Sequence, residues 1–263
     1  GQLNRNNGLG KEVLAFILVP AGHAGANKEL LHNLELPYQA VTSTDLYLTH
    51  YLNDSANDPV MNRIRAQKLR NSEEDKVKIF FVPSYLNGDD GVLNMPYYDL
   101  LVGMDLTAFP SYYEPWGYTP LESLAFKVPT ITTTLAGFGL WVKEHYNMNH
   151  PGIEVIHRED GDASNVATAI AEWVKNYTQV GETEMQKDRD NAKDVSRIAL
   201  WDNLINYYKQ AYTIALNQVS VRLKDLPANM NESVSYIEKQ LTVNNPSWVS
   251  VMIHRSIPCL LYT

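Results

Sequence analysis

Short apolar runs rich in β-branched residues alternate with amphipathic stretches from residue 13 to about residue 183, and this alternation limits the fold more than any other feature. Such runs are typical of buried parallel strands, and the stretches between them are typical of helices that cover a parallel sheet. We therefore predict an α/β fold with a Rossmann-like, doubly wound parallel sheet. The predicted strands are Val13 to Val19, Val77 to Val82, Leu106 to Phe109, Thr130 to Thr133 and Ile153 to Ile156, and the predicted helices are Pro59 to Arg70, Tyr97 to Val102, Pro120 to Phe126, Phe138 to His145 and Asn165 to Asn176.

After about residue 183 the pattern changes to long helical stretches. Between Val195 and Leu216, apolar side chains recur mostly every three or four residues, which predicts a helix with one apolar stripe. This stripe packs on the sheet domain or, as the alternative, crosses to another domain. We predict a sheet domain over residues 1–182, helices packed on it over 183–216, and a helical or irregular extension over 217–258. The stripe consists of Ile198, Trp201, Leu204, Ile205, Tyr208 and Tyr212.

Both ends of the sequence have features that we expect of a truncated chain. The chain starts at Gly1 rather than at methionine and soon enters the strand at Val13, so we expect the preceding element of the α/β unit to be missing. Residues Cys259 to Thr263 match the translation of a transposon end used in preparing sequencing libraries. We expect these five residues to be non-native, with a genuine short apolar terminus as the alternative.

The charge balance argues against two classes of partner. The chain has 22 basic and 30 acidic side chains, a net charge of −8, which argues against binding to nucleic acid or to an anionic membrane. Any phosphate must therefore be held by local groups. No apolar run is long enough to cross a bilayer, and a single cysteine, Cys259, agrees with a reducing compartment. We expect a cytoplasmic protein.

The segment from Pro110 to Pro120 follows a predicted strand and precedes a predicted helix, which is where ligands bind in open α/β sheets. Thr119 and Glu122 have the spacing of a capping box, with Pro120 at the first helical position, so we predict that Thr119 caps the helix. The capping box explains Glu122 without any ligand.

The loop ahead of this cap contains residues that a simple connection does not require. Glu114, Trp116 and Gly117 are charged, bulky and conformationally special residues in one short turn. A helix N-terminus with free amides beside Gly117 is also a ready phosphate site. The segment is therefore the strongest candidate for a ligand site in the sequence.

These residues resemble those of one family. The string Phe109-Pro-Ser-Tyr-Tyr-Glu-Pro-Trp-Gly-Tyr-Thr-Pro-Leu-Glu122 is similar to glycogen synthase of the animal and fungal type, as are Val128-Pro-Thr-Ile-Thr-Thr-Thr134 and Gly137-Phe-Gly139. The resemblance covers most of residues 1–216. It implies the second, donor-binding half of a glycosyltransferase-B fold. It also implies transfer of glucose, with retention, from UDP-glucose (favoured) or ADP-glucose to an α-1,4-glucan, without a metal or another cofactor.

The same resemblance assigns roles to individual residues. It places Glu114 beside the transferred glucose as the catalytic carboxylate and Glu122 at the ribose of the donor. Tyr97 would lie near the nucleotide base, although an aromatic residue on an ordinary helix face is an equal alternative. The residues that would line the sugar and phosphates are Trp116, Gly117, Tyr118 and Thr119, with the amides of Gly117 to Thr119 on the distal phosphate.

The sequence departs from the family in ways that affect activity. Val82 stands where the family usually has a histidine, and the helical insertion expected near residues 25–45 is short. The basic residues that grip the donor phosphates in the family fall ahead of residue 1, as does the acceptor-binding domain. We therefore expect residues 1–263 alone to be inactive as an enzyme.

Other candidate residues have simpler interpretations. We expect His50 to be a buried, hydrogen-bonded histidine and Asp89-Asp90-Gly91 to be a turn rather than a calcium loop. Gly137-Phe138-Gly139 predicts a tight strand-to-helix connection, and no histidine spacing predicts a metal site. Two functions stay open beside the leading one: a non-catalytic nucleotide- or glycan-binding module, and a starch- or sucrose-synthase-like transferase.

Overall fold

The computed structural model describes residues 1–5, 8–36, 47–146 and 152–224, and these residues divide into two units, the second of which begins at Leu200. The first unit alternates strands and helices, and the described part of the second is one long helix. The elements are α1 (Gln2–Arg5), β1 (Val13–Leu18), β2 (His23–Ala26), α2 (Lys28–Leu34), β3 (His50–Leu52), α3 (Pro59–Ala66), β4 (Val77–Val82), α4 (Tyr97–Val102), β5 (Thr107–Ala108), α5 (Tyr118–Ala125), β6 (Thr130–Thr133), α6 (Gly137–His145), β7 (Ile153–Ile156), α7 (Ala163–Tyr177), α8 (Glu182–Ile198) and α9 (Trp201–Lys224).

Two groups of parallel strands form the centre of the first unit. β1 pairs with β4 in parallel register, and Leu48 forms a further parallel bridge to Phe81 on the other edge of β4. β6 lies between β5 and β7 and is parallel to both. Because parallel neighbours are joined by helical crossovers, the helices lie on the sheet faces. The predicted α/β class with parallel strands is confirmed, and β4, β6 and β7 begin and end where the sequence predicts.

The hydrophobic cores of the first unit explain why these strands could be predicted from the sequence. Around β4, the fully buried Phe81 and Met61 pack with Ile64 and Ile79. Around α5 and α6, a second cluster buries Leu124, Phe138, Val142, Val155 and Val195, so that α8 is part of the same core. All four residues of β6 are buried, as expected for a strand covered on both faces.

The structure contains an antiparallel pair and a short helix that the sequence does not predict. β2 and β3 pair through His23 with Leu52 and Ala26 with His50. The pair is irregular between its two bridges, and the run His-Ala-Gly-Ala has neither the alternation nor the β-branched content of a predictable strand. α2 follows directly, and the side chain of Asn27 caps it by accepting the amides of Glu29 and Leu30.

One predicted helix is wrong in extent. The stripe from Val195 to Leu216 is not one helix, because α8 ends at Ile198 and α9 begins at Trp201. The amide of Ala199 bonds the Ser196 carbonyl at 3.1 Å, a tightened last turn that ends α8. Neither glycine nor proline marks this break, so composition gives no warning of it.

Other helix boundaries differ less from the predicted ones. The predicted helix from Pro59 to Arg70 ends at Ala66, since Lys68 adopts a left-handed φ of 55°. The predicted segments 217–258 and 259–263 fall largely outside the described residues, and the predicted domain boundaries stay predictions. Among the helices that the structure describes, none is long and apolar enough to cross a membrane.

Asp188 on α8 is expected to destabilise the fold at neutral pH. Its side chain is 3% exposed, and among the described residues Oδ1 has no hydrogen-bond partner. Burial, with the nearby charge of Glu184, raises the pKa of Asp188. A carboxyl whose folded pKa is raised costs no stability while it is protonated in both states, and it lowers stability as the pH rises through that pKa.

Replacing Asp188 with Asn should therefore stabilise the protein at neutral pH. Removal of an unsatisfied buried charge is worth about 1 kcal/mol or more, so Asp188→Asn should raise Tm by about 2–4 °C at pH 7. The gain should shrink as the pH is lowered from 7 toward about 4, because the pKa of Asp188 is raised in the folded protein and protonation removes the buried charge. Scanning calorimetry measures both values, with Asp194→Asn, an exposed position of α8, as the control. An equal gain at both pH values would contradict the assignment.

Candidate functional site

The loop from Phe109 to Gly117 connects β5 to α5 at the carboxyl edge of the strands, and backbone hydrogen bonds fix it there. The amide of Glu114 bonds the Leu135 carbonyl at 3.1 Å, and the carbonyl of Glu114 accepts the amide of Gly137 at 3.0 Å. The Trp116 carbonyl then accepts the amide of Phe138 at 2.7 Å. The loop thus forms a single parallel bridge, between Glu114 and Ala136, beside the start of α6, and it holds the Glu114 backbone in place while the residue itself is exposed.

Two glycines of α6 allow this close approach. A Cβ on Gly137 would lie 2.1 Å from the carbonyl oxygen of Pro115, and a Cβ on Gly139 would lie 2.3 Å from that of Thr133. Both distances are far shorter than any real contact of a Cβ, and both involve backbone atoms. The tight strand-to-helix connection predicted for this segment is confirmed.

The start of α5 differs from the sequence prediction. The N-cap is Gly117, with a left-handed φ of 104° and ψ of 79°, and the helix begins at Tyr118. Thr119 therefore lies inside the first turn and cannot cap it, so the predicted capping box of Thr119 and Glu122 is wrong. Pro120 is still accommodated, because amides in the first turn have no partner within the helix.

As a result, the N-terminus of α5 has no side-chain cap. Gly117 is buried beside the Glu114 side chain, since a Cβ on Gly117 would meet Glu114 Cγ at 3.4 Å. Tyr118 and Thr119 are exposed, Tyr118 to 71%. Uncapped amides and the positive end of the helix dipole together favour an anion at this position. The structure therefore brings Glu114 together with the predicted phosphate site.

Trp116 lies in a different environment from its neighbours. Its ring is partly buried and packs edge-to-face against Phe138 and at a tilt against Trp141, with both centroid distances 5.7 Å. The side chain therefore anchors the loop in the second core, and it faces α6. A direct contact between this ring and a ligand stays a prediction.

Tyr97 and Glu122 come together across the pair of helices α4 and α5. The Tyr98 hydroxyl hydrogen-bonds the Glu122 carboxylate, which raises the pKa of Tyr98. Burial and the charge of Glu122 raise the pKa of Tyr97. The ring of Tyr98 also stacks on Phe126 at 5.2 Å. The two residues predicted for the ribose and the base thus lie close together where α4 meets α5.

The sequence analysis did not identify Arg158, which follows β7 and holds the start of the loop between β5 and α5. The Arg158 guanidinium donates to the carbonyls of Pro110 at 2.5 Å and Ser111 at 3.3 Å, and it lies over the ring of Tyr112 at 4.8 Å. The Tyr112 hydroxyl in turn interacts with Asp160, which raises the pKa of Tyr112. Arg158 comes just after the carboxyl end of β7, so the edge rule that singled out the loop after β5 could have found it.

Loss of this guanidinium should loosen the loop measurably. Arg158→Met keeps the aliphatic stem but leaves the Pro110 and Ser111 carbonyls without their charged donor, a loss of about 1.5–3 kcal/mol. We expect Tm to fall by roughly 3–10 °C and the amide of Glu114 to exchange faster with solvent. Arg63→Met on the exposed face of α3 is the matched control. Wild-type exchange at Glu114 in Arg158→Met would show that Arg158 does not hold the loop.

The remaining candidates have structural explanations. His50 is buried, with both ring nitrogens hydrogen-bonded, as the sequence predicts. Asp90 caps a turn with Gly91 at a left-handed φ of 83°, which confirms the predicted turn. Within the described ranges, no three His, Cys, Asp or Glu side chains are grouped so as to hold a metal ion.

Comparison with known proteins gives one consistent family. A model of the glycogen synthase family matches residues 9–256. Glycogen [starch] synthase isoform 2 of Saccharomyces cerevisiae is 32% identical over 174 residues, which is 65% of this chain and 25% of the yeast protein. Glycogen [starch] synthase of Caenorhabditis elegans is 32% identical over 195 residues, covering 73% of this chain and 28% of the worm protein. The mouse liver glycogen [starch] synthase is 31% identical over 171 residues, covering 65% and 24%. The chain thus spans about a quarter of the length of these curated relatives.

Proposed function

The chain belongs to the glycogen synthase family, and from this premise we propose that it forms the donor-nucleotide half of a retaining glucosyltransferase. In this reaction the bond between glucose C1 and the donor phosphate oxygen breaks, a hydroxyl oxygen at the non-reducing end of an α-1,4-glucan forms a new bond to C1, and the hydroxyl proton passes to the departing diphosphate. UDP-glucose is the favoured donor, with ADP-glucose as the alternative.

One observation carries the proposal: Glu114 is held beside an uncapped helix N-terminus. The Glu114 side chain lies next to Gly117, and the α5 amides that begin at Tyr118 have no side-chain cap. A sugar diphosphate needs an anion site for its phosphates and a carboxylate beside its sugar. Both are present within four residues of one loop.

The chemistry assigns a separate role to each group. As the diphosphate leaves, its negative charge grows, and amides already aimed at it lower the barrier because they need no reorganisation. The glucose ring develops positive charge at the same time, and the Glu114 carboxylate beside it stabilises that charge. Backbone hydrogen bonds to Leu135 and Gly137 keep Glu114 in position for this role.

The nucleoside extends toward α4 in this arrangement. Glu122 binds the ribose hydroxyls with oxygen lone pairs that its contact with Tyr98 leaves available, and Tyr97 lies near the base. No metal takes part, because the helix N-terminus and basic residues of an N-terminal half neutralise the phosphates. The glucan binds in a cleft that the N-terminal half completes. The protein acts in the cytoplasm.

An extended protein, in which the N-terminal half of a glycogen synthase precedes this chain, tests the proposal. It should transfer radiolabelled glucose from UDP-glucose to glycogen, and more slowly from ADP-glucose. The N-terminal half alone is the control and should transfer none. Absence of transfer from both donors by a folded extended protein would refute the proposed reaction.

A further inference from the structure

The ring of Tyr112 is covered on one face and open on the other. The Arg158 guanidinium lies over this ring, with Cζ 4.8 Å from the ring centroid, and a cation in that position covers one aromatic face. Tyr112 is nevertheless 56% exposed, so the second face is in contact with solvent. The guanidinium keeps the plane of the ring fixed. The loop after β5 therefore presents a rigid aromatic surface to water.

Two charged side chains border this surface and keep polar atoms available. The Tyr112 hydroxyl hydrogen-bonds Asp160, which is itself exposed, and one hydroxyl engages only one of the several lone pairs of a carboxylate. Arg158 Nη1 donates to the loop backbone. Arg158 Nη2 is not buried and has no hydrogen-bond partner among the residues that the structure describes. We call Tyr112, Arg158 and Asp160 the Tyr112 platform.

The Tyr112 platform has the chemistry of a surface that binds a neutral sugar. The C–H groups of a glucose ring make one side of the ring apolar and slightly positive, and that side stacks on an aromatic face, which is slightly negative. Sugar hydroxyls both donate and accept, so the Asp160 carboxylate and the Arg158 guanidinium can each pair with one. A phosphate would instead meet the negative charge of Asp160. The platform thus favours a sugar over an anion.

Backbone contacts place the Tyr112 platform at the β7 side of the loop. The Thr133 hydroxyl at the end of β6 donates to the Ser111 carbonyl at 2.7 Å, so the loop that leaves β5 crosses the end of β6. Arg158 and Asp160 come directly after β7, the strand beyond β6. The amide of Arg158 also bonds Thr134 Oγ1 at 3.0 Å, which fixes the two strand ends to each other.

The platform is close to Glu114 and lies on the opposite side from the predicted nucleoside residues. Tyr112 is two residues from Glu114, and two residues of chain span at most about 7 Å. Tyr97 and Glu122 lie where α4 meets α5, and α4 leads into β5. β6 separates β5 from β7. A sugar beside Glu114 therefore has the nucleoside side in one direction and the Tyr112 platform in the other.

We propose that the Tyr112 platform is a subsite for the glucan acceptor, where it binds the glucose unit next to the one that reacts. The inference rests on the proposed function, because an acceptor reaches this position only if the donor glucose lies beside Glu114. A glucan whose terminal hydroxyl attacks C1 there must extend away from the nucleoside, and the platform lies in that direction. The platform makes and breaks no bond. It binds the chain and so affects how well acceptors of different length are used.

Steady-state kinetics of the extended protein test this inference, with maltooligosaccharide varied at saturating UDP-glucose and UDP-glucose varied at saturating maltooligosaccharide. Tyr112→Leu removes the aromatic face, whereas Tyr112→Phe keeps it and loses only the hydroxyl. Asp160→Ala removes the carboxylate without touching the ring. Tyr51→Leu is the matched control, since Tyr51 is an exposed tyrosine on β3. A melting curve of each variant shows whether it is folded.

For Tyr112→Leu we expect the KM for maltooligosaccharide to rise about tenfold while the KM for UDP-glucose changes by less than about twofold. Asp160→Ala should raise the KM for maltooligosaccharide by about threefold, because it removes one hydrogen-bonding group and leaves the stacking face. Tyr112→Phe should keep most of the wild-type affinity, and Tyr51→Leu should match the wild type.

Two results would overturn the subsite and leave the proposed function intact. Equal rises in both KM values for Tyr112→Leu would show that Tyr112 only supports the loop. An unchanged KM for maltooligosaccharide in both Tyr112→Leu and Asp160→Ala would show that no sugar binds there. A folded wild-type extended protein that transfers no glucose would overturn the proposed function, and the subsite with it.

Discussion

In the extended protein, Glu114→Gln should lower kcat about 10²- to 10³-fold while the KM for the nucleotide sugar changes little. The substitution removes a negative charge beside the sugar but keeps the size and the hydrogen-bonding capacity of the side chain. A preorganised group that stabilises charge only in the transition state is worth roughly 3 kcal/mol, and its loss appears in kcat. The backbone bonds of Glu114 to Leu135 and Gly137 do not depend on the side chain, so Tm should stay unchanged.

Steady-state kinetics with varied donor, together with a melting curve, measures both quantities. Glu144→Gln is the matched control, because Glu144 is an exposed glutamate on α6. If Glu114→Gln retains wild-type kcat, Glu114 has no part in the reaction. A fall in Tm equal to that of a core variant would instead mean that Glu114 stabilises the loop.

Gly137→Ala should lower the catalytic rate by a comparable factor, because it displaces the loop without changing any group that takes part in the reaction. The added Cβ would lie 2.1 Å from the carbonyl oxygen of Pro115, so the loop and the start of α6 must separate. Overpacking of this kind costs about 1–3 kcal/mol of stability. A displacement of about 1 Å at a reacting group lowers its rate about 100-fold, so we expect kcat/KM to fall by at least that factor. Glu114 itself is unaltered in this variant.

Gly181→Ala is the control for the loss of glycine, since a Cβ at Gly181 meets nothing within 4 Å. In the extended protein, kcat/KM of Gly137→Ala should be at least about 100-fold lower than that of Gly181→Ala. Wild-type kcat/KM in Gly137→Ala would show that the close approach of loop and helix has no part in catalysis.

The strands were predictable where burial alone decides. Thr130 to Thr133 is a fully buried run of β-branched residues, and Val77 to Val82 is apolar except for Lys78 and buries four of its six residues, so the bounds of both strands follow from composition. β2 was not predictable, because His23 to Ala26 becomes a strand only through its pairing with β3. The break between α8 and α9 likewise depends on a tightened turn at Ala199. It could not be predicted, because no glycine or proline lies at the break.

In the candidate site, too, some features could be predicted from the sequence and others could not. The position of the Glu114 loop at the carboxyl edge followed from the order of strand and helix. The cap did not, because the sequence rule favours Thr119 over Gly117, whereas the left-handed backbone of Gly117 starts the helix two residues earlier. The same edge rule marks the position of Arg158, and the sequence predicts a buried, hydrogen-bonded His50, but the backbone carbonyls that these two side chains contact are distant in sequence and could not be predicted.

Calorimetric titration of the 263-residue chain with UDP and, separately, with maltooligosaccharides tests the central claim most directly. A donor-nucleotide half should bind UDP saturably at one site and should bind the sugar chains weakly or not at all. Gly117→Val, which forces a β-branched side chain into a left-handed position at the phosphate site, should abolish the UDP signal. Binding of maltooligosaccharides without binding of UDP would contradict the account and would identify the chain as a glycan-binding module.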